Sequence, residues 1–149
     1  PDVSLDIYGK GAEEARLREQ IKKLNCGDYV HLCGQQKMDE VYMNYEAYLA
    51  GSTSEGFGLT LMEAVGSGLP IIGFDVRYGN PNFIDDGENG YLIPVHDKME
   101  KKERIQKLTE CIVRLFTEAD MEAFHKHSYE KAGEYLTEEV EKKWKELLK

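Results

Sequence analysis

Two carboxylates flank a short glycine-rich segment of the chain, residues 52–64, with the sequence STSEGFGLTLMEA. Glu55 stands directly before Gly-Phe-Gly, and Glu63 follows eight residues later inside an apolar run. A carboxylate in such a run needs hydrogen-bond donors, and the neighbouring hydroxyls of a ribose would supply two. Glu55 could accept a hydrogen bond from a hexose hydroxyl. The alternative is a capping acid and a core glutamate paired with a lysine, and the residues alone favour neither interpretation.

The glycines between the two acids predict a phosphate site. Gly56 and Gly58 permit backbone conformations that are closed to other residues. Their amides, with those of Phe57 and Leu59, would lie at the start of a helix. Unpaired N–H groups and the positive end of the helix dipole favour an anion there. A sugar, a diphosphate and a ribose could thus lie along one segment.

Composition excludes several classes of partner and site. The chain has 149 residues, 41% of them apolar, which fits one soluble globular domain with its own core. A net charge of −9 argues against nucleic acid or an anionic membrane as the main partner. The three cysteines have no metal-ligand spacing and indicate free thiols in a reducing compartment.

Strand and helix patterns alternate along the chain and indicate how the segment is positioned. Apolar and alternating runs predict strands at residues 4–9, 29–33, 47–50, 70–74 and 91–93, and helical spacing predicts helices at 12–24, 38–45 and 58–67. Residues 75–82 are typical of a turn-rich loop, and 97–148 predict a helical tail broken near Glu118 and around residues 133–137. The pattern predicts an α/β fold, a Rossmann-like doubly wound parallel sheet with a helical carboxyl-terminal tail. In such sheets ligands bind outside the carboxyl ends of the strands.

The first glycine pair, Gly9 and Gly11, tests a rival interpretation, dinucleotide binding. That motif requires a third glycine where this chain has Glu14, and an acid after the second strand, where residues 32–34 offer none. NAD or FAD binding is therefore disfavoured. Ser52 and Ser54 lack the flanking glycines of a nucleophile elbow.

Three stretches, SEGFGLTLMEA (54–64), GSGLP (66–70) and DGENGYLI (86–93), resemble the carboxyl-terminal domain of retaining GT-B glycosyltransferases of family 4. The E-x7-E pair is the signature of that family. Most members carry Gly-Gly-x-x-Glu after the strand at 70–74, whereas this chain reads GFDVRYGNPN at 73–82. That loop looks like the bacterial enzymes that attach N-acetylglucosamine to Ser and Thr of serine-rich-repeat adhesins. Glucosyltransferases of teichoic acid rank second.

The resemblance implies a role for each matching residue. Glu55 would be the catalytic residue and, together with Gly56, Phe57 and Gly58, would hold the donor sugar. The phosphates would be bound by Leu59 and Thr60, and the ribose by Glu63. The uracil would contact the backbone of Gln35 and Gln36. The donor would be UDP-N-acetylglucosamine or UDP-glucose, with no metal and no cofactor. Retaining transfer without a protein nucleophile is implied.

The resemblance also implies partners. The chain starts at Pro1, so we expect residues 1–149 to be a single nucleotide-sugar-binding domain, a fragment lacking an amino-terminal acceptor domain and its basic residues. Such a fragment alone would be inactive. A glycosyltransferase-like co-subunit and a serine-rich acceptor protein are implied, with no nucleic acid. The expected location is the cytoplasm, or the membrane through a partner or the missing domain. A rival interpretation is that the chain is itself a non-catalytic, chaperone-like subunit; the two acids favour the enzyme.

Overall fold

Parallel strands and helices alternate along the chain in the computed structural model, which describes residues 3–38 and 40–149. Contacts group the chain into two units, Pro1–Met38 and Asp39–Lys149. Within the described residues the strands form two parallel sheets, one in each unit. The predicted α/β class is confirmed.

The first unit is a βαβ arrangement. Its elements are β1 (Leu5–Tyr8), α1 (Glu14–Leu24) and β2 (Val30–Gly34), and β1 pairs in parallel with β2. Asn25 ends α1 in the left-handed conformation at φ 50°, with its amide donating to the carbonyls of Ile21 and Lys22. A residue with a short polar side chain tolerates this conformation, which explains why the helix stops at the predicted place.

The second unit contains a three-stranded parallel sheet with the order β3-β4-β5. The strands are β3 (Tyr48–Ala50), β4 (Ile71–Phe74) and β5 (Gly90–Ile93). Every residue of β4 is buried, as its uninterrupted apolar run predicts for a central parallel strand. Ile72 and Phe74 of β4 belong to the main apolar core, which the helical tail completes with Leu115 and Phe124.

Five helices accompany this sheet in the described part of the second unit: α2 (Leu59–Gly66), α3 (Asn80–Phe83), α4 (Lys101–Glu118), α5 (Met121–Gly133) and α6 (Thr137–Leu147). The two predicted breaks in the tail are confirmed. Asp120 caps α5 by accepting a hydrogen bond from the amide of Ala123. On α5, Ser128 donates to the carbonyl of Leu69 at 2.9 Å, which fixes this helix against the end of α2. None of the described helices is long and apolar enough to cross a membrane.

Two local predictions were wrong. The helix predicted at 38–45 is only a 3-10 turn at Tyr42–Asn44; Asp39 lies outside the described residues. The Asn44 side chain donates to the carbonyls of Glu40 and Val41, a local bond that competes with a continuing helix. The predicted loop at 75–82 instead runs into the short helix α3, because Pro81 in its first turn has a preset φ.

Candidate functional site

The amino-terminal end of α2 carries free backbone donors, as the segment predicts. Gly58 precedes the helix in the left-handed conformation, φ 87° and ψ 57°, and no side chain caps it. The Gly58 carbonyl accepts from the amides of Leu61 and Met62, each at 3.0 Å. Within the described residues, the amides of Leu59 and Thr60 have no acceptor. Two N–H groups therefore point from a helix end toward solvent, an arrangement that suits a phosphate.

The two glycines of this turn have different roles. At Gly58 the positive φ disfavours other residues, and a Cβ would lie 2.6 Å from Leu61 Cδ1. Gly56 has no positive φ, and a Cβ there would meet nothing within 4 Å. Of the two glycines, Gly58 uses a conformation that is closed to other residues, and Gly56 does not. Its small size leaves the backbone exposed instead.

Glu63 lies in the second turn of α2 with an exposed side chain. The hydroxyl of Tyr42 donates to Glu63 Oε2 at 2.9 Å. Burial of Tyr42, and then the hydrogen bond and charge of Glu63, raise the pKa of the Tyr42 phenol. The phenol therefore stays a proton donor at neutral and mildly alkaline pH. In the described part of the chain no lysine or arginine lies within salt-bridge distance of Glu63, so the lysine-paired interpretation is wrong.

A second tyrosine contacts the same helix. Tyr48 on β3 donates from its hydroxyl to Thr60 Oγ1 at 3.1 Å, and its ring centroid lies 6.2 Å from that of Tyr42. Sequence reasoning missed both tyrosines. Tyr48 was seen only as a strand residue and Tyr42 as part of a helix. Their pairing with α2 depends on where β3 and the 3-10 turn lie in the unit.

Glu55 keeps a free carboxylate. Its side chain is half-buried, and among the described residues it makes no hydrogen bond or ion pair. It does not cap α2, so the capping interpretation is also wrong. Its backbone forms an isolated parallel bridge with Tyr78. The carboxylate is therefore available to a ligand, while the main chain beneath it is fixed.

Phe57 connects the turn to the rest of the unit through ring contacts. It packs edge-on against Phe83 at 5.6 Å and against Tyr135 at 6.3 Å between ring centroids. Phe83 and Tyr135 stack at 4.7 Å, and the Tyr135 hydroxyl donates to the Asn82 carbonyl at 2.7 Å. Although Phe57 is 52% exposed, its orientation is thus set by α3 and by the junction of α5 and α6.

Free amides at a helix start and two acids, neither of which has an ion-pair partner among the described residues, thus lie in one segment, residues 55–63. A profile of the family "Glycosyl transferases group 1" matches residues 1–126. The chain belongs to the group 1 glycosyltransferases. The match covers both sheets and the whole 55–63 segment.

Three relatives of this glycosyltransferase domain are informative. The "UDP-N-acetylglucosamine--peptide N-acetylglucosaminyltransferase GtfA subunit" of Streptococcus gordonii is 53% identical over 149 residues, which cover 100% of this chain and 29% of that protein. The "Poly(glycerol-phosphate) alpha-glucosyltransferase" of Bacillus subtilis (strain 168) is 30% identical over 147 residues, 97% of this chain and 21% of that protein. The solved "GtfA/B complex" superposes with a TM-score of 0.91 at 53% identity, over 99% of this chain and 29% of that chain.

The glycosyltransferase domain thus spans less than a third of the length of the relatives it matches. The superposition on the GtfA/B complex confirms the predicted Rossmann-like half of a GT-B fold. The assignment to family 4 stays a prediction.

Gln35 and Gln36 lie in the first unit of the glycosyltransferase domain, directly after β2. Both side chains are exposed, and Gln36 Nε2 donates to the Cys33 carbonyl at 3.4 Å. Gly34 before them adopts φ 68°. The turn therefore presents backbone to solvent, and the binding of a uracil there stays a prediction.

One cluster of the glycosyltransferase domain has the composition of a metal site. Asp85, Glu88 and His127 place one ligand atom each within 4.8 Å of one another. Lys131 pairs with Asp85 Oδ1 at 3.1 Å, and Glu130 lies 3.7 Å from His127 Nδ1. These contacts form a polar network between α5 and the turn before β5, in which Lys131 and Asp85 are an ion pair. None of its members belongs to the 55–63 segment, and the expectation of metal-free transfer stays a prediction.

Proposed function

We propose that this chain is the donor-binding part of a retaining hexosyltransferase. The enzyme would transfer N-acetylglucosamine from UDP-N-acetylglucosamine to Ser and Thr hydroxyls of a serine-rich bacterial surface protein. The observation that carries the proposal is the uncapped start of α2 between Glu55 and Glu63, two acids that have no ion-pair partner in the described part of the chain. The identity of 53% to the S. gordonii peptide N-acetylglucosaminyltransferase subunit supports the donor and a peptide acceptor.

The proposed mechanism follows from where charge develops. Cleavage of the glycosyl–phosphate bond builds negative charge on the β-phosphate. The amides of Leu59 and Thr60 are already fixed in place and would stabilise this charge without reorganising. Glu55 would accept from a hexose hydroxyl and Glu63 from the ribose. The acceptor hydroxyl would attack from the face that the phosphate leaves, and the leaving phosphate would take its proton. No protein nucleophile and no divalent cation take part.

The teichoic acid alternative is less favoured. The B. subtilis glucosyltransferase is 30% identical to this chain, against 53% for the peptide N-acetylglucosaminyltransferase subunit. We therefore place N-acetylglucosamine ahead of glucose as the donor sugar.

The acceptor site is proposed to lie on another domain, because the chain spans only 29% of the S. gordonii relative. That relative is named a subunit, and the similar solved structure is of a GtfA/B complex. We therefore propose a co-subunit for this protein as well. The proposed location is the cytoplasm, or the membrane face through a partner or a further domain.

A donor titration tests the function. We expect the 149-residue chain to bind UDP and UDP-N-acetylglucosamine more tightly than ADP in calorimetry, and to transfer no sugar to a serine-rich peptide, since it would lack the second wall of the cleft. UDP-glucose is measured beside UDP-N-acetylglucosamine. Tighter binding of UDP-glucose would favour the teichoic acid alternative. No binding at millimolar UDP would favour the non-catalytic subunit, and measurable transfer by the chain alone would contradict the proposed division of the site.

Tyr42→Phe tests the support of Glu63. The change removes the hydrogen bond to Glu63 Oε2 but keeps the buried ring. One lost hydrogen bond is worth about 0.5–1.5 kcal/mol, so we expect UDP affinity to fall roughly 2- to 12-fold. Tyr129→Phe is the matched control, because its hydroxyl donates to the Ser67 carbonyl beyond the end of α2. Equal affinities for wild type and Tyr42→Phe would contradict a role for this bond in binding.

A further inference from the structure

The segment between β4 and α3 holds the main chain of Glu55. Tyr78 in this segment forms the parallel bridge with Glu55. Tyr78 adopts φ 77°, a left-handed conformation that costs a bulky residue about 1–2 kcal/mol. The side-chain amide of Asn82 donates to the Tyr78 carbonyl, which helps to keep the backbone in this conformation. Strain at a 70% exposed tyrosine is retained beside an acid of the candidate site.

Gly79, the next residue, provides the space in which the Glu55 side chain lies. A Cβ at position 79 would be 2.2 Å from Glu55 Cγ and 2.5 Å from Glu55 Cβ. The φ of Gly79 is −88°, so other residues could adopt its backbone conformation. The constraint at this position is therefore the volume of the Glu55 side chain.

Asn80 prevents this segment from moving away. Its side chain is fully buried, and its Nδ2 donates to the Phe74 carbonyl at 2.7 Å, at the end of β4. That Nδ2 also lies only 2.8 Å from where a Cβ on Gly73 would be, so the anchor is closely packed. Because the backbone after Gly79 is fixed to the sheet, a larger residue at 79 must displace Glu55.

We propose that Gly79 is a positioning residue for sugar recognition. It leaves the space that the Glu55 side chain needs to keep its position. The inference rests on the proposed function, in which Glu55 accepts a hydrogen bond from a hexose hydroxyl. In that function Glu63 and the α2 amides bind the ribose and the phosphates. Displacing Glu55 should therefore affect the sugar and leave the nucleoside diphosphate in place. Gly79 thus determines how strongly the site prefers UDP-hexose to UDP. It does so through the position of Glu55, without contacting the ligand itself.

The Gly79→Ala variant tests whether binding of the sugar can be weakened without weakening the binding of UDP. The readout is the ratio of the dissociation constant for UDP-N-acetylglucosamine to that for UDP, measured by calorimetry on the same preparation. We expect Gly79→Ala to raise this ratio at least 5-fold, while UDP affinity stays within 2-fold of wild type. Gly66→Ala is the matched control, since a Cβ on Gly66 meets nothing within 4 Å and its φ is not positive. The control should leave both constants unchanged.

Asn82→Ala provides a second variant at an exposed position, in case Gly79→Ala does not fold. It removes the bond to the Tyr78 carbonyl and should raise the same ratio about 2- to 3-fold. In a Glu55→Ala background neither change should alter the ratio further, because the seated carboxylate is already gone. An unchanged ratio in both single variants, with wild-type UDP binding present, overturns this inference alone. A wild-type chain that binds no UDP overturns the proposed function and this inference with it.

Discussion

Glu63→Ala is expected to weaken UDP binding by about 1–3 kcal/mol, roughly 5- to 150-fold, because in the proposed binding mode the ribose hydroxyls would lose their acceptor. The structure supports a large effect. Glu63 Oε2 is already oriented by Tyr42, and within the described residues Oε1 has no partner, so a preorganised oxygen faces solvent. Calorimetric titration with UDP measures the loss directly.

Two controls make the Glu63 result interpretable. Glu146→Ala removes an exposed acid that has no ion-pair partner in the described part of α6, and it should leave UDP affinity unchanged. Thermal unfolding of Glu63→Ala shows whether the buried Tyr42 hydroxyl, now without its acceptor, has destabilised the fold. A folded Glu63→Ala protein with wild-type affinity would contradict the ribose assignment.

Gly90→Ala is expected to destabilise the second unit by about 3 kcal/mol or more. Gly90 begins β5 and pairs with Ile71 of β4. A Cβ on Gly90 would lie 1.8 Å from the Ile71 carbonyl oxygen and 2.8 Å from its carbonyl carbon. Backbone atoms of a buried central strand cannot move aside, so β5 would separate from β4 or the sheet would not form.

Denaturant unfolding followed by circular dichroism measures this destabilisation, with Gly133→Ala as the control. A Cβ on Gly133 meets nothing within 4 Å, and its φ is not positive. We expect the control to be as stable as wild type or more stable by up to about 1 kcal/mol, because alanine favours a helix more than glycine does. A Gly90→Ala protein whose free energy of unfolding lies within about 1 kcal/mol of wild type would show that β4 and β5 are less closely paired than described.

The sequence predicted the elements that local pattern determines. The buried strand at 70–74, the helix at 58–67 and the breaks in the tail were read from apolar runs, helical spacing and turn residues, and all are present. The segment around Glu55 and Glu63 was identified because glycine spacing and acids within an apolar run are local signals. The predicted helix at 38–45 failed because a side-chain bond from Asn44 outweighed helical spacing. The predicted loop at 75–82 failed because a proline favoured the first turn of a helix despite the turn residues around it.

The remainder of the site depends on contacts between distant residues. Tyr42 lies 21 positions before Glu63, and Gly79 lies 24 positions after Glu55, so no spacing rule connects them. The need for glycine at position 79 depends on another side chain occupying its Cβ position. The sequence also does not show which of Gly56 and Gly58 uses a positive φ; in the folded backbone only Gly58 of the two does.

The ring contacts of Phe57 have a mechanical consequence. Tyr135 belongs to the short connection between α5 and α6, and its ring packs against both Phe57 and Phe83. Because these rings are in contact, a movement of α6 would displace Phe57 and with it the turn that precedes α2. A restraint on α6 would then also limit the motion of this turn, where we propose that the pyrophosphate binds.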